Sequence, residues 1–124
     1  MAAKILLVDD EKEFVDMIKM RLEAKNYAVI TAYDGIEALN KTRELRPDLI
    51  ILDIMLPNLD GYQVCRMIKF DKTFGEIPII LLTALDQEKD RKLGEQVRAD
   101  AYITKPFEPE ELVEKIAVLL GKNE

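Results

Sequence analysis

Three short apolar runs constrain the fold of this chain most strongly, because their apolar residues are continuous rather than alternating. They occupy residues 5–8 (ILLV), 49–52 (LIIL) and 79–82 (IILL). Strands that are apolar on both faces are typical of a parallel sheet that is covered by helices on both sides. Residues 27–32 and 101–104 are weaker candidates for two further strands. The pattern therefore predicts a five-stranded parallel sheet.

Polar-rich stretches of helical length follow the strands. They cover residues 11–25, 34–46, 61–70, 86–97 and 109–120. In the second of these stretches we expect Ile36, Leu39 and Leu45 to face the core. A strand followed by a helix, five times over, predicts an α/β fold of the (βα)5 type, a doubly wound parallel sheet with right-handed crossovers. With 124 residues there is room for one domain, which we assign to residues 1–124.

The composition excludes several classes of protein. The chain has 24 acidic and 18 basic residues, and a net charge of −6 argues against a nucleic-acid or anionic-membrane surface. It contains no His, which excludes imidazole bases and His metal sites on this chain. We expect the single cysteine, Cys65, to be a small core residue. No apolar run approaches the ~20 residues of a membrane span, and residues 1–4 lack a signal-peptide pattern, so we expect a cytoplasmic protein.

Acidic residues stand where two of the predicted strands end. Asp9 and Asp10 follow the first strand, and Asp53 follows the third. Ligands of open α/β sheets bind beyond the carboxyl ends of strands, so these carboxylates converge if the two strands are neighbours. Oxygen ligands without His or Cys favour Mg²⁺, with Mn²⁺ able to take its place. The alternative is that Asp9 and Asp10 only cap a helix and that Asp53 is a solvated strand end.

Two more strand ends carry polar groups that suit a phosphoryl group. The fourth strand ends in Thr83-Ala84, and the fifth ends in Thr104-Lys105-Pro106. A lysine would supply positive charge and a threonine a hydrogen bond to phosphoryl oxygens. Each residue is unremarkable alone, so the prediction depends on their joint placement.

The ordered set of Asp9-Asp10, Asp53, Thr83 and Lys105-Pro106 resembles the receiver domain of bacterial two-component response regulators. The segment 53–57 (DIMLP), followed by Asp60-Gly61, is similar to the phosphorylation-site signature of that family. The resemblance extends over essentially the whole chain. It implies a CheY-like, flavodoxin-type fold with strand order 2-1-3-4-5.

The resemblance also implies a role for each matching residue at the acidic end. Asp53 is the expected phosphoacceptor, which forms an acyl phosphate. Asp10 is expected to bind Mg²⁺ directly and Asp9 mainly through water, with Asp53 and the backbone carbonyl of Met55 as further ligands. Lys105 is expected to contact the phosphoryl oxygens, through a chain whose next peptide bond, to Pro106, is cis.

The remaining matches imply a switch. Thr83 and Ala84 are expected to contact the phosphoryl group, and Tyr102 is expected to rotate inward as Thr83 moves. The change would remodel the surface of the fourth predicted helix, the fifth strand and the fifth predicted helix. The chain would then be a phosphoacceptor switch and not an enzyme, assisting only its own phosphorylation and dephosphorylation.

Two sets of residues extend the resemblance to kinetics and partners. Met55 and Leu85 occupy positions that tune hydrolysis in the family, and neither side chain can hydrogen-bond an attacking water. We therefore expect a long-lived phosphoryl group, shortened by Met55→Asn with Leu85→Glu. On the first helix, Phe14, Met17 and Met20 are candidates for docking the phosphodonor, although isolated apolar surface residues are normal.

The expected partners are a sensor histidine kinase or histidine phosphotransfer protein and an unknown downstream target protein, with the chain a monomer or a phosphorylation-dependent dimer. It could stand alone or be the receiver of a longer DNA-binding regulator. A haloacid-dehalogenase-like phosphatase is disfavoured, since that family has a second Asp where Met55 stands. A flavodoxin-type binding module is disfavoured because no glycine-rich loop follows the first strand.

Overall fold

A computed structural model describes residues 2–83, 92 and 96–121 of the chain. Within them, five parallel strands form one sheet in the order β2-β1-β3-β4-β5, as predicted. The strands are β1 (Lys4–Val8), β2 (Ala28–Ala32), β3 (Leu49–Asp53), β4 (Ile79–Thr83) and β5 (Ala101–Thr104).

Helices connect the strands and cover both faces of the sheet. Those with described bounds are α1 (Lys12–Glu23), α2 (Gly35–Leu45), α3 (Gly61–Lys69) and α4 (Pro109–Leu119), the last being the fifth predicted helix. Only residues 92, 96 and 97 of the fourth predicted helix are among the described residues.

Local sequence signals set the ends of these helices. Asp34 caps α2, since its side chain accepts a hydrogen bond from the backbone N–H of Glu37. Asp60 and Gln63 form a reciprocal capping box at the start of α3. Gly121 follows α4 with a φ of 71°, a left-handed conformation that glycine adopts readily.

The side chains of the central strands contribute to two separate cores, because successive side chains along a strand point to opposite faces of the sheet. Leu6 and Ile50 join the core beneath α2 and α3, whereas Leu7 and Ile51 join the core beneath α1 and α4. All four side chains are fully buried. Continuous apolar runs are therefore required in β1 and β3, and the doubly wound arrangement predicted from them is confirmed.

The predicted inner face of α2 is partly wrong. Leu39 is buried, but Ile36 and Leu45 are 51% and 38% exposed. Ala38 and Thr42 complete the buried face instead. Thr42 tolerates burial because its hydroxyl donates to the carbonyl of Ala38, one turn earlier in the same helix.

None of the helices described over residues 2–83 and 96–121 is long and apolar enough to cross a membrane.

Candidate functional site

The register of the sheet aligns the carboxyl ends of its four adjacent strands. Val8 pairs with Leu52 across β1 and β3, and Thr83 pairs with Thr104 across β4 and β5. The residues that end or follow these strands therefore meet at one edge of the sheet. They are Asp9, Asp53, Thr83 and Lys105.

Three carboxylates form a compact cluster at this edge. One oxygen from each of Asp9, Asp10 and Asp53 lies within 4.8 Å of the others. Asp9 is fully buried, Asp53 is only 5% exposed, and Asp10 is exposed to solvent. The backbone N–H of Glu11 donates to Asp9 Oδ1 at 3.0 Å, which fixes the buried carboxylate. The convergence predicted from strand ends is therefore observed.

Lys105 reaches into the acidic cluster from β5. Its Nζ donates a hydrogen bond to Asp9 Oδ2 at 2.8 Å and lies 3.8 Å from Asp53 Oδ1. Glu11 Oε1 is also 3.8 Å away. The peptide bond between Lys105 and Pro106 is cis. Lysine and the predicted phosphoacceptor are thus already neighbours.

The electrostatics of the site follow from burial and crowding. Burial, and then the charge of Asp9, raise the pKa of Asp53 to about 6, although Lys105 and a hydrogen bond from the Met55 backbone N–H act to lower it. Burial alone would lower the pKa of Lys105, but its hydrogen bond to Asp9 and the nearby carboxylates raise it. The lysine therefore stays charged and partly offsets the acids.

The donor set fits a hard divalent cation. Three carboxylates face one ammonium group, so the cluster retains excess negative charge that a cation would neutralise. Burial is the main cause of the raised pKa of Asp53, and the charges of Asp9 and Asp10 add to it. All the side-chain donors are oxygens, which Mg²⁺ prefers to nitrogen or sulfur ligands.

The start of α3 packs tightly against the end of β3. The N–H of Gly61 donates to the carbonyl of Ile54 at 2.8 Å. A Cβ added at Gly61 would clash with the carbonyl oxygen of Asp53, so no larger residue fits without displacing the backbone. Glycine directly after Asp60 was the sequence signal for this close approach. Met55, on the loop between β3 and α3, is 73% exposed.

The predicted switch residues are only partly described. Thr83 is buried at the end of β4, and Tyr102 in β5 is half-buried against the core beneath α2 and α3. Ala84 and Leu85 lie outside the described residues. Cys65 is a buried core residue, as predicted.

The three candidate docking residues on α1 do not all lie together. Phe14 and Met17 line an apolar groove of about 380 Å³ with Phe107 and Pro109, beside Lys105. Met20 is 72% exposed and does not line that groove.

Sequence reasoning did not foresee that Glu11 and Phe14 would contact Lys105. The ammonium lies 4.4 Å from the centroid of the Phe14 ring. Glu11 directly follows Asp10, and Phe14 lies in the first turn of α1. The sequence signal for these contacts was that both residues follow Asp9 and Asp10 closely along the chain.

Comparisons with known proteins agree with this geometry. Residues 5–117 match the sequence profile of the response regulator receiver domain. The alkaline phosphatase synthesis transcriptional regulatory protein PhoP of Bacillus subtilis is 47% identical over all 124 residues. The chain spans about half the length of that relative (51%).

Solved structures of similar chains share the fold. The chemotaxis response regulator CheY4 of Vibrio cholerae is 32% identical, with a TM-score of 0.90 over 96% of this chain and 99% of that one. The receiver domain of a sensor histidine kinase from Pseudomonas aeruginosa, which holds a magnesium ion in its active-site cleft, is 34% identical. Its TM-score is 0.89 over 98% of this chain and 99% of that one. The chain therefore belongs to the response regulator receiver domain family and has the CheY-like fold of two-component signalling proteins.

Proposed function

We propose that this receiver is switched by transfer of a phosphoryl group to Asp53 from a histidine kinase or a histidine phosphotransfer protein. The observation that carries the proposal is the position of the Asp53 carboxylate, which is nearly buried at the end of β3, 3.8 Å from the Lys105 ammonium. The neighbouring carboxylates of Asp9 and Asp10 complete the constellation.

The transfer is a single displacement at phosphorus. A carboxylate oxygen of Asp53 forms a bond to phosphorus as the bond from phosphorus to the donor nitrogen breaks. The donor imidazole leaves with the electron pair and takes up a proton. The product is an acyl phosphate on Asp53. Water later attacks this phosphorus, the bond from phosphorus to the Asp53 oxygen breaks, and inorganic phosphate leaves as the carboxylate is regenerated.

Asp9, Asp10, Asp53 and the carbonyl of Met55 would hold Mg²⁺, with Mn²⁺ as a substitute. When bound, the ion neutralises charge on the phosphoryl oxygens and the crowded carboxylates. Lys105 would contact the phosphoryl oxygens from the β5 side, where its positive charge favours a trigonal, highly charged phosphoryl group during transfer.

The output of the reaction is a changed surface rather than a released product, so the chain acts as a switch and not as an enzyme. Thr83 and Ala84, at the end of β4, would bond to the phosphoryl group. Tyr102, in the neighbouring strand, would turn inward in response. The surface around β5 and α4 would then bind a downstream partner or a second copy of the chain.

Residues 1–124 would form one receiver unit. The 47% identity to a transcriptional regulatory protein across the whole chain supports the alternative that this unit serves a longer regulator.

The test is the intact mass of the protein after incubation with acetyl phosphate and Mg²⁺. We expect a gain of one phosphoryl group in the wild type, and none with EDTA or in Asp53→Asn. The matched control is Asp16→Asn, because Asp16 has an exposed side chain that pairs with Lys12 on the surface of α1. Hydroxylamine should release the group, as expected of an acyl phosphate. Equal uptake by Asp53→Asn would refute the assignment.

A further inference from the structure

The Lys105 ammonium has an aromatic neighbour besides its carboxylates. Nζ lies 4.4 Å from the centroid of the Phe14 ring on α1. A cation within about 6 Å of a ring centroid is attracted to the negative face of the ring. Lys105 is only about one-fifth exposed (18%), so little water screens this attraction. The ammonium is thus held by α1 as well as by the strand ends.

The Phe14 ring is itself held in place by a second ring. The centroids of Phe14 and Phe107 are 6.0 Å apart and the rings are nearly perpendicular, at 87°. Edge-to-face contacts of this kind are favourable. Phe107 follows Lys105 by two residues, so the loop that carries the lysine also carries the support of the ring. The side chain of Lys105 and the ring of Phe14 are therefore fixed relative to each other.

We propose that Phe14 is a positioning residue, whose ring face keeps the Lys105 ammonium beside Asp53 before the phosphoryl group arrives. The competing position for the ammonium is towards Glu11, a largely exposed carboxylate that is also 3.8 Å away. A ring face attracts the cation but accepts no strong hydrogen bond. It therefore leaves the N–H donors of Lys105 that Asp9 does not engage available for phosphoryl oxygens. This inference rests on the proposed function, in which Lys105 contacts those oxygens.

An aliphatic side chain at position 14 would not hold the Lys105 ammonium in the same way. Leucine could cover the methylene groups of Lys105, but it has no quadrupole to attract the ammonium. The proposal therefore separates the electrostatic effect of the ring from its packing. Fluorination of the ring separates them best, since it weakens the negative face with little change in shape.

The contact is tested first without donor or Mg²⁺, by NMR of the lysine ε-methylene protons. We expect an upfield ring-current shift for Lys105, assigned with Lys105→Arg, that disappears in Phe14→Leu. The matched control is Phe70→Leu, which removes another cation–ring pair, with Arg98 at 4.3 Å, away from the site. The Lys105 shift should persist in that control. Absence of the shift in the wild type would overturn the proposal.

The role is tested by the rate of phosphorylation with phosphoramidate, a small donor that needs no docking. Phenylalanines with one, two and three fluorines replace Phe14. The rate should fall stepwise, by about three- to tenfold at three fluorines. Phe14→Tyr, which keeps an electron-rich ring, should react at close to the wild-type rate. A rate that is flat across the series would overturn the role of Phe14.

The two proposals fail in different ways. If Asp53 takes up a phosphoryl group and the fluorine series is flat, only the role of Phe14 is wrong. If Asp53 takes up none, the proposed function is wrong and the role of Phe14 with it, even where the ring-current shift is present.

Discussion

Asp9 and Asp53 are two buried carboxylates with different surroundings. Asp9 accepts a short hydrogen bond from Lys105, at 2.8 Å, and another from the backbone of Glu11. Asp53 lies a full ångström farther from the ammonium, at 3.8 Å. A carboxylate with a strong ion pair is a poorer nucleophile, because its charge is already engaged. The geometry thus favours Asp53 over Asp9 as the acceptor.

Met55 should lengthen the life of the acyl phosphate. Its exposed thioether side chain, two residues after Asp53, cannot orient a water molecule by a strong hydrogen bond. We expect Met55→Asn to shorten the half-life several-fold, because an amide can hold the attacking water. The measurement is the loss of phosphoryl mass with time after the donor is removed. Met67→Asn, an exposed position on α3, is the control. Identical half-lives for Met55→Asn and the wild type would contradict the prediction.

Cys65 should make the protein less stable in alkali. Burial raises the pKa of its thiol from 9.0 to about 12, so the folded protein keeps a proton that the unfolded chain releases near pH 9. Stability is therefore unaffected below pH 9 and falls above it, by up to about 1.4 kcal/mol per pH unit. Linkage places the fall between pH 9.0 and about 12. Urea unfolding from roughly pH 8 to 10.5, across the start of that window, should show a steeper fall in the wild type than in Cys65→Ala. Parallel slopes would rule this out.

At the scale of elements, the strands could be predicted because the signal is local. Leu6 and Leu7 are adjacent in β1, so their side chains point to opposite faces of the sheet, and both are fully buried because both faces are covered. The inner face of α2 could not be predicted as well. Burial of Thr42 depends on a hydrogen bond within the helix, and Ile36 is exposed at the first turn.

The same distinction applies to the site. Convergence of the three aspartates follows from strand order alone, because the carboxyl ends of parallel strands meet. The contacts of Lys105 with Glu11 and Phe14 depend on how α1 packs beside the loop after β5. No sequence pattern within either element contains that information.

The junction of β3 and α3 should be intolerant of a single methyl group. In Gly61→Ala the new Cβ would meet the Asp53 carbonyl oxygen, and relieving the contact should cost about 1–3 kcal/mol. Gly121→Ala is the control, since it meets nothing within 4 Å and is strained only by its φ of 71°, at about 1 kcal/mol. Thermal unfolding should show the larger loss for Gly61→Ala, together with slower phosphorylation. Equal losses would show that the backbone gives way freely.

Helix α1 should carry part of the contact with the phosphodonor. Met17 is 47% exposed on the apolar groove beside Lys105. A charge there would have to be desolvated on docking, so Met17→Asp should slow phosphotransfer from the cognate kinase. The control is Met67→Asp on α3, with the melting temperature of both variants measured. Phosphotransfer at the full rate by a folded Met17→Asp protein would exclude the contact.

At the scale of the molecule, the two cores share the central strands, whereas the acidic cluster sits at one edge of the sheet. A bound cation would therefore stabilise the whole fold through β1 and β3. At ten times the dissociation constant, Mg²⁺ should add about 1.4 kcal/mol, which raises the melting temperature by roughly 3–6 °C.

The measurement is thermal unfolding with and without Mg²⁺ in the wild type and in Asp10→Asn. Asp10 is exposed, so its substitution should spare the core and remove most of the increase. Asp16→Asn, an exposed aspartate on α1, should keep the increase. An increase of the same size in all three proteins would indicate a general salt effect instead of a site.

The alignment of strand ends has a consequence for protein engineering. Asp9, Asp53, Thr83 and Lys105 all depend on the sheet, whereas the exposed side chains of Met20, Met67 and Val118 belong to the outer surfaces of three helices. The acidic site and these exposed helical surfaces therefore lie on separate parts of the chain. Exchanging the outer helical residues between relatives should change which proteins the domain binds. The proposed reaction at the edge of the sheet should stay the same.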